Sequence, residues 1–384
     1  LANNNKQITV QINNLNCRGL VPRSCGTPCI QSKMTASNPN KANRREANWP
    51  HVLFFIHIHV LCVYGLWLAF TDAKILTNVL CLLLSLCGIL GATSGAHRLW
   101  AHGTYKANAA LRTLLMLCQT LVGQVRCDIC RWFHLFLSLD KCWRPAGIGS
   151  ISNSGSIYNW VVDHRLHHEQ FGTEQDPYNH NKGFGFAHLF THLQSLSPKQ
   201  QELAKAIDVA DLEKDSIVMF QYYYWIMYPV VFLLLPINAP VEYWGESIMN
   251  SVFILGFLRY AIVLHASWFI NSGALVWGLK YPADTNMVFI LTKSYWPQYH
   301  YLLPSDYKTG EYGSYATGCS TTFIRIWAAM GWATGLRTMD SESVKAALAA
   351  AVTSGKPIAD CLHEAEKAQT LPEDHFLDRT DILI

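Results

Sequence analysis

The chain has 384 residues, half of them hydrophobic and only 15% charged, and its formal net charge is +3. The mean hydropathy is positive, at +0.11. This composition excludes an ordinary soluble domain and indicates an integral membrane protein. The small net charge, without a long run of Lys or Arg, argues against a nucleic-acid partner.

Both ends of the chain are polar. The first 48 residues lack any hydrophobic period, which predicts a disordered cytosolic leader. The first apolar run starts too late for a secretory signal peptide. Because Met34 opens a plausible polar leader, one hypothesis is that residues 1–33 are translated upstream sequence. Residues 341–384 predict a cytosolic tail, with an Ala-rich helix at 343–352.

Four apolar runs are each long enough to cross a bilayer, which takes roughly 20 residues. The runs lie near residues 50–71, 75–95, 217–237 and 248–270. A short turn at Asp72 joins the first two, and the sequence predicts an all-α integral membrane protein with four transmembrane helices in two hairpins. A shorter run at 110–124 is expected to lie buried or along the interface.

Basic residues cluster at one end of the predicted hairpins. Those that precede the first span or follow the second are Lys41, Arg44, Arg45, Arg98, Lys106 and Arg112. The turn between these spans carries only Lys74, and the connection at 237–247 carries no basic residue. The positive-inside rule therefore predicts that both termini and the histidine clusters face the cytosol.

The segment at 125–154 interrupts this pattern. It has neither a helix nor a strand period, and its later part is rich in Gly and Ser, which predicts an irregular insertion. A retained intron read in frame would explain it. The pairs Cys25/Cys29 and Cys127/Cys130 are weak zinc candidates, because no second pair of Cys or His follows at zinc spacing.

Two tight clusters hold five of the 16 histidines. His164, His167 and His168 stand at i, i+3 and i+4, so on a helix their imidazoles converge on one small volume. His97 and His102 stand five apart, about 140° around an α-helix. We therefore expect either two neighbouring metals or a helix that unwinds after the second span. Imidazole suits iron, copper and zinc alike. The scattered histidines expected to be ordinary polar residues with partners are His51, His57, His59 and His265.

The flanks of both clusters carry a recognisable pattern. The stretches are GATSGAHRLWAH at 91–102, WVVDHRLHH at 160–168, RY at 259–260, LHA at 264–266, WFINS at 268–272 and GW at 331–332. They resemble the membrane-bound acyl-CoA desaturases, of the insect Δ9/Δ11 type. The resemblance runs from about residue 45 to 340, interrupted by the insertion, and implies a desaturase domain at 49–340.

The resemblance implies a fold and a metal centre. The family has four transmembrane helices capped by a cytosolic helical domain, and its site holds two ferrous irons bound by nine histidines, with an asparagine contributing through water. The residues that match these ligands are His97, His102, His164, His167, His168, His300 and Asn271. The residues that match substrate contacts are Asp163 and Trp268.

The implied activity is insertion of a cis double bond into a fatty acyl-CoA, with O2 and with electrons from cytochrome b5. The implied setting is unsaturated fatty acid biosynthesis at the endoplasmic reticulum membrane. Two alternatives stay open. One is a catalytically inactive paralogue, or an aberrant transcript product, with residual lipid binding. The other is a histidine-box hydroxylase, which the flanking sequence fits less well.

The third histidine box departs from the family pattern. Where the family has three histidines at HxxHH spacing, this chain has Pro297, His300 and Tyr301, and PSDY at 304–307 fixes the register. The family's isolated histidine after Asn-Ser is Leu275 here. Three of the nine ligands are thus replaced, so iron is expected to bind incompletely. The family's basic contacts to the acyl-CoA headgroup fall at Val162, Ser195 and Leu196.

Overall fold

A computed structural model of the chain describes residues 43–123, 156–223, 227–278, 287–293, 296–309, 311 and 315–368. Three features discussed above lie wholly outside these ranges: the upstream segment hypothesised at 1–33, the insertion at 125–154 and both cysteine pairs. Most of the leader and the last part of the tail lie outside them as well.

The described residues are mostly helical, as the sequence predicts. The α-helices are α1 (Trp49–Thr71), α2 (Ile75–Leu90), α3 (Ala109–Thr120), α4 (Ile157–Glu169), α5 (Phe184–His188), α6 (Pro198–Ala206), α7 (Ala210–Lys214), α8 (Ser216–Tyr223), α9 (Leu235–Trp244), α10 (Ile248–Ser251), α11 (Arg259–Val276), α12 (Met287–Thr292), α13 (Trp296–Leu302), α14 (Cys319–Ala329), α15 (Ser341–Ser354) and α16 (Ile358–Ala368). The π-helical segments are Gly91–Ala101, Tyr228–Leu234 and Val252–Leu258, and the 3-10 turns are His180–Lys182 and Phe190–Leu193. Two short antiparallel strands pair, namely β1 (Lys106–Ala107) and β2 (Ala333–Thr334).

Three helices are long and apolar enough to cross a membrane: Trp49–Thr71, Ile75–Ala101 and Ile248–Val276. The second and third combine α2, α10 and α11 with their π-helical segments. The predicted span near 217–237 corresponds to α8 and Tyr228–Trp244, two helices bent by 80° at a short break. Three of the predicted spans are therefore present as single helices, and the fourth span stays a prediction, as do the two hairpins.

The first and third of these helices differ in what surrounds them. Only 22% of the most apolar stretch of Trp49–Thr71 is buried within the protein, against 56% for Ile248–Val276. Phe70, near the end of α1, is 84% exposed. Because a large apolar surface is costly in water and is satisfied in a bilayer, α1 is suited to face lipid, while α11 lies among other helices.

The turn between α1 and α2 is fastened to the start of α10. The Glu246 carboxylate accepts hydrogen bonds from Lys74 N at 2.8 Å and from Thr77 Oγ1 at 2.6 Å. It also accepts from Asn250 Nδ2 at 2.9 Å. The short turn predicted at Asp72 is thereby tied to the helix that leads into α11.

Close packing between α1 and Val252–Leu258 depends on a glycine. A methyl group added at Gly65 would overlap the carbonyl oxygen of Phe253. Small residues at helix contacts let backbones approach within a membrane. We expect Gly65→Ala to destabilise the protein by about 1–3 kcal/mol. Thermal unfolding in one detergent should show this loss, and should show none for Gly185→Ala, where a methyl group meets only a ring carbon at 3.8 Å. Equal unfolding temperatures would contradict the prediction.

The residues beyond 340 pack onto α12 and α13. The helix predicted at 343–352 is α15, and with α16 it shares a core with these two helices. The buried members of this core include Ile290, Tyr299, Leu302, Leu303, Val344, Leu348 and Leu362. Because α13 carries His300, this core holds one of the histidines of the third box in place.

Candidate metal centre

His97 and His102 lie one π-helical turn apart. The segment Gly91–Ala101 is π-helical, and the His102 N–H donates to the His97 carbonyl oxygen at 3.1 Å. Such i to i+5 bonds place positions five apart on the same side of the helix. The two ring centroids are 4.8 Å apart. The sequence left two possibilities, namely two neighbouring metals or a helix that unwinds after the second span, and the helix does not unwind here. It widens instead.

Four histidines converge on one small volume. Ligand atoms that all lie within 4.8 Å of one another come from His97, His102, His164 and His300. The Nε2 atoms of His102 and His164 face each other at 2.8 Å. These side chains come from the end of the π-helix, from α4 and from α13, which are far apart in sequence. Imidazoles grouped in this way can hold a first-row transition metal ion.

His168 is a fifth imidazole beside this group. Its ring centroid lies 4.6 Å from that of His102, 4.7 Å from that of His164 and 5.1 Å from that of His300. Its Nε2 atom is buried and has no hydrogen-bond partner among the described residues. A buried nitrogen without a partner is costly, and a metal ion would satisfy it. The donor set therefore fits a metal.

Glu311 fixes the orientation of His97. Its Oε1 accepts a hydrogen bond from His97 Nδ1 at 2.7 Å. With Nδ1 donating, His97 Nε2 keeps its lone pair, and that atom has no hydrogen-bond partner in the part of the chain that the structure describes. A carboxylate behind an imidazole raises its basicity and holds its ring in place, which is typical of metal-binding histidines.

Arg98 and Glu311 form a buried ion pair, with neither side chain more than 2% exposed. Arg98 Nε donates to Glu311 Oε1 at 2.9 Å, and the other guanidinium nitrogens donate to the carbonyl oxygens of Tyr307 and Thr309. Burial alone would raise the pKa of Glu311, but Arg98 and His97 outweigh it and hold the pKa well below its ordinary value. Glu311 is therefore ionised.

Asn271 lies behind His164, on α11. His164 Nδ1 donates to Asn271 Oδ1 at 2.7 Å, so the lone pair of His164 Nε2 is directed away from Asn271. His180 Nε2 donates to the main-chain oxygen of Asn271 at 2.7 Å. The side-chain oxygen of Asn271 thus contacts His164, a candidate ligand. The role of Asn271 as a metal ligand through water stays a prediction.

His167 differs from its two neighbours on α4. It shares their helix face, but its Nδ1 donates to Asp176 Oδ1 at 2.7 Å and its Nε2 lies 2.7 Å from the Tyr301 hydroxyl. Burial raises the pKa of Tyr301 well above its ordinary value, so the hydroxyl keeps its proton. Of the three histidines predicted to converge from this helix, the structure brings His164 and His168 to the centre and directs the nitrogens of His167 elsewhere.

Burial lowers the pKa of several histidines at the centre far below the ordinary value, and neighbouring imidazoles lower it further. These histidines are His102, His164, His168 and His300. They are therefore neutral near pH 7, which is the form that binds metals.

The metal-free protein is expected to lose stability as the pH falls from 7 to 5. Histidines of the unfolded chain take up protons near pH 6.5, whereas these four imidazoles stay neutral in the folded chain. The unfolded state then binds more protons than the folded state. The free energy of unfolding therefore decreases as the pH is lowered, by up to about 1.4 kcal/mol per pH unit for each such histidine. Denaturation of chelator-treated protein in detergent at pH 7, 6 and 5 measures this, and a flat profile would contradict it.

The two predicted substrate residues lie on the helices that build the centre. Asp163 precedes His164 on α4 and is 9% exposed. Trp268, on α11, is buried, and its ring stacks on that of His192 at a centroid distance of 4.3 Å. Contact of either side chain with a substrate stays a prediction.

Uncharged residues occupy the three positions where the family has basic headgroup contacts. Val162 and Leu196 are buried. The carbonyl oxygen of Ser195 accepts a hydrogen bond from Arg45 Nε at 3.1 Å. The other guanidinium nitrogens of Arg45 donate to four further protein oxygens, which belong to Pro177, Thr191 and Gln194. The hydrogen bonds of this cation are therefore made within the protein.

The scattered histidines have partners away from the centre. His57 and His59 each bond, through Nδ1, to the carbonyl oxygen one helical turn earlier, at 2.6 Å. His59 Nε2 lies 2.9 Å from His265 Nε2, and His265 Nδ1 lies 3.0 Å from His188 Nε2. The expectation that these are hydrogen-bonded polar residues is confirmed for His57, His59 and His265.

Two carboxylates behind the imidazoles, Glu311 and Asp176, were not predicted from the sequence. Neither belongs to a histidine box, and no periodicity brings either one to a histidine. The rule that a metal-binding imidazole usually donates to a carboxylate was the available signal. That rule asks for such partners without choosing them among the 27 Asp and Glu residues.

Similar proteins show the family to which the chain belongs. No protein-family model matches the chain. An acyl-CoA Delta-9 desaturase of Acheta domesticus is 38% identical over 312 residues, 79% of each chain. An acyl-CoA Delta(11) desaturase of Choristoneura rosaceana is 32% identical over 317 residues, 80% of this chain and 85% of the relative. The chain belongs to the acyl-CoA desaturase family. Stearoyl-CoA desaturase 4 of Mus musculus is 32% identical over 294 residues, 74% of each.

The family predicted from the histidine boxes is thereby confirmed. Members of the acyl-CoA desaturase family carry out oxidative chemistry on fatty acyl chains, so the chain is an enzyme by family. Its long apolar helices suit a multi-pass membrane protein. Its group of four converging histidines could hold a metal ion.

Proposed function

We propose that the chain is an oxidoreductase that inserts a cis double bond into a fatty acyl-CoA. The observation that carries this proposal is the group of four buried or half-buried imidazoles, two of which stand at the end of the long apolar helix Ile75–Ala101, in a chain of desaturase sequence. The overall reaction removes two hydrogens from adjacent methylenes, and O2 takes these with two electrons and two protons to form two waters. Ferrous iron, when bound, would supply the oxygen activation and hydrogen abstraction.

The protein's own contribution is to position and to exclude water. His97, His102, His164 and His300 would hold the metal, while Glu311 keeps the His97 ring oriented with its Nε2 lone pair available. Buried, neutral imidazoles suit a site from which water is excluded. The apolar walls of α2 and α11 would align the acyl chain below the metal, with Asp163 and Trp268 in contact with the substrate.

The electron donor in this proposal is cytochrome b5, and the setting is the endoplasmic reticulum membrane, in unsaturated fatty acid biosynthesis. Both termini and the metal centre would face the cytosol. The support is the charge distribution, with Arg44, Arg45, Arg98 and Arg112 at the histidine end of the spans and only Lys74 in the first turn.

Expression in a desaturase-deficient yeast tests the activity. The chain should be produced with and without residues 125–154, its insertion into membranes verified, and the cellular fatty acids analysed by gas chromatography with mass spectrometry. New monounsaturated fatty acids are the expected result. Their absence from cells whose membranes contain the folded, metal-bound protein would overturn the proposal.

One observation favours a second candidate, a non-catalytic relative with residual lipid binding. The Tyr301 hydroxyl lies 2.7 Å from His167 Nε2, at a position where the family has a histidine. A hydrogen bond there would withdraw an imidazole from the metal. The yeast experiment separates the two candidates, because only the enzyme changes the fatty acid profile. Recovery of endogenous fatty acids with purified protein from yeast membranes that contain no new product would support the second.

A further inference from the structure

Six histidines match the family's ligands, and His167 stands apart from the other five. The ring centroid of His167 is 6.1 Å from that of His164, whereas those of His102 and His168 are 4.8 and 4.7 Å from it. Neither His167 nor His168 belongs to the group of four whose ligand atoms lie within 4.8 Å of one another, but the His168 ring lies within 5.1 Å of the rings of three members of that group. The centre therefore contains five clustered imidazoles and one that is set aside.

Both ring nitrogens of His167 are occupied by protein groups. His167 Nδ1 donates to the carboxylate of Asp176 at 2.7 Å, and both side chains are fully buried. An imidazole that donates through Nδ1 has a lone pair only on Nε2. The Tyr301 hydroxyl lies 2.7 Å from that atom and donates to it. Asp176, His167 and Tyr301 thus form a hydrogen-bonded triad, and His167 has no lone pair left for a metal.

We propose that this chain binds a single metal ion, held by the five clustered histidines, and that the triad replaces a second metal. The proposal rests on the metal centre of the proposed function and concerns how many ions that centre holds. It differs from the two irons that the family resemblance implies.

The surroundings of the triad leave two polar atoms unsatisfied. His180 Nδ1 and Asp176 Oδ2 are buried without a hydrogen-bond partner among the described residues, and two atoms are too few to make a metal site. His180 Nε2 is bonded to the main-chain oxygen of Asn271 at 2.7 Å. Leu275, one helical turn after Asn271, is a hydrocarbon. Among the described residues, no second group of three or more His, Cys, Asp or Glu side chains converges as the four histidines do. One ion is therefore what this set of side chains can hold.

The triad also positions a member of the cluster. The Tyr301 ring stacks on that of Phe171 at 4.1 Å and lies nearly parallel to that of His168 at 5.1 Å. A hydroxyl fixed by His167 holds this stack in register, and the stack holds the imidazole of His168 beside the other four. Tyr301 thereby withdraws His167 from the metal and orients His168 toward it.

Metal counting on the full chain tests the proposal. The protein is purified in detergent, stripped with chelator and titrated anaerobically with Fe2+. Bound iron per chain is then determined by plasma mass spectrometry after gel filtration, and a parallel titration with Co2+ is followed by visible absorption. The expected end point is one equivalent per chain for both ions.

Three variants make the count specific. His167→Gln and Tyr301→Phe should leave the end point at one equivalent, because neither side chain is a ligand. The triple variant Leu275→His, Pro297→His, Tyr301→His should gain a second equivalent, because it returns imidazoles to the positions where the family has them. Near-ultraviolet circular dichroism identifies any variant that does not fold, and the count on the unaltered chain needs no variant.

The outcomes separate the possible failures. Two equivalents in the unaltered chain would overturn the proposal, as would a fall in the end point for folded His167→Gln. A visible charge-transfer band after air oxidation of the iron-loaded protein that disappears in Tyr301→Phe would also overturn it, by showing Tyr301 as a ligand. No bound metal in the folded, unaltered chain would overturn the metal centre of the proposed function, and with it this proposal.

Discussion

Replacing His164 with alanine is expected to abolish metal binding and double-bond formation. His164 lies at the middle of the cluster, with its Nε2 atom 2.8 Å from that of His102 and its ring within 4.7 Å of those of His97 and His168. Loss of a residue that only supports a ligand weakens metal affinity by about 10–100-fold, and loss of a ligand should exceed this. Anaerobic titration with Fe2+ and fatty acid analysis in yeast measure the two effects.

A matched substitution keeps the result specific. His363→Ala removes an exposed imidazole on α16 that pairs with Glu366 at 3.6 Å, far from the cluster in sequence and in contacts. This variant should bind metal like the unaltered chain. If His164→Ala folds and still binds Fe2+ with unchanged affinity, the four-histidine group is not the metal site.

Replacing Glu311 with glutamine should produce the largest loss of stability. The substitution leaves Arg98 buried beside a neutral amide, and breaking a buried ion pair in this way costs about 3–5 kcal/mol. His97 also loses the carboxylate that orients it, so metal affinity should fall by about 10–100-fold. Thermal unfolding and Fe2+ titration in the same detergent measure both effects.

The sign of the accompanying pH effect follows from the pKa of Glu311, which is held below its ordinary value. A carboxylate of this kind stabilises the fold above the unfolded pKa, about 4.3, and the stabilisation is lost as the pH falls through the folded pKa. The difference between Glu311→Gln and the unaltered chain should therefore be full at pH 7 and shrink below about pH 4. As a control, Glu342→Gln removes an exposed carboxylate paired with Lys345 and should leave the unfolding temperature unchanged. A Glu311→Gln variant as stable as that control would show that the buried pair contributes nothing.

Much of the fold and the centre follows from local patterns. Long apolar runs define the three helices that are present as single spans, because a membrane needs about 20 consecutive apolar residues whatever else the chain contains. The i, i+3, i+4 spacing of His164, His167 and His168 places them on one face of α4, as predicted. The fourth span did not follow as simply, because the run near 217–237 forms two helices bent by 80°.

The spacing of His97 and His102 shows where a local pattern was insufficient. Five residues is the wrong distance for one face of an α-helix, and only the π-helical geometry of Gly91–Ala101 brings the two rings to 4.8 Å. That widening occurs in a segment packed closely on α3. A methyl group at Gly91 would overlap the backbone of Gln119. The π-helical geometry of Gly91–Ala101 thus occurs where this segment packs against α3, and the sequence alone does not show that packing.

By itself, the sequence determined the class of this protein and the residues that can bind metal, since hydropathy and histidine spacing are properties of neighbouring residues. Only the tertiary structure decided how each imidazole is used. Glu311 reaches His97 across 214 positions of sequence, and Tyr301 reaches His167 across 134. Such partners are chosen by how helices pack and by the need to satisfy every buried polar atom, and these are conditions on the folded chain as a whole.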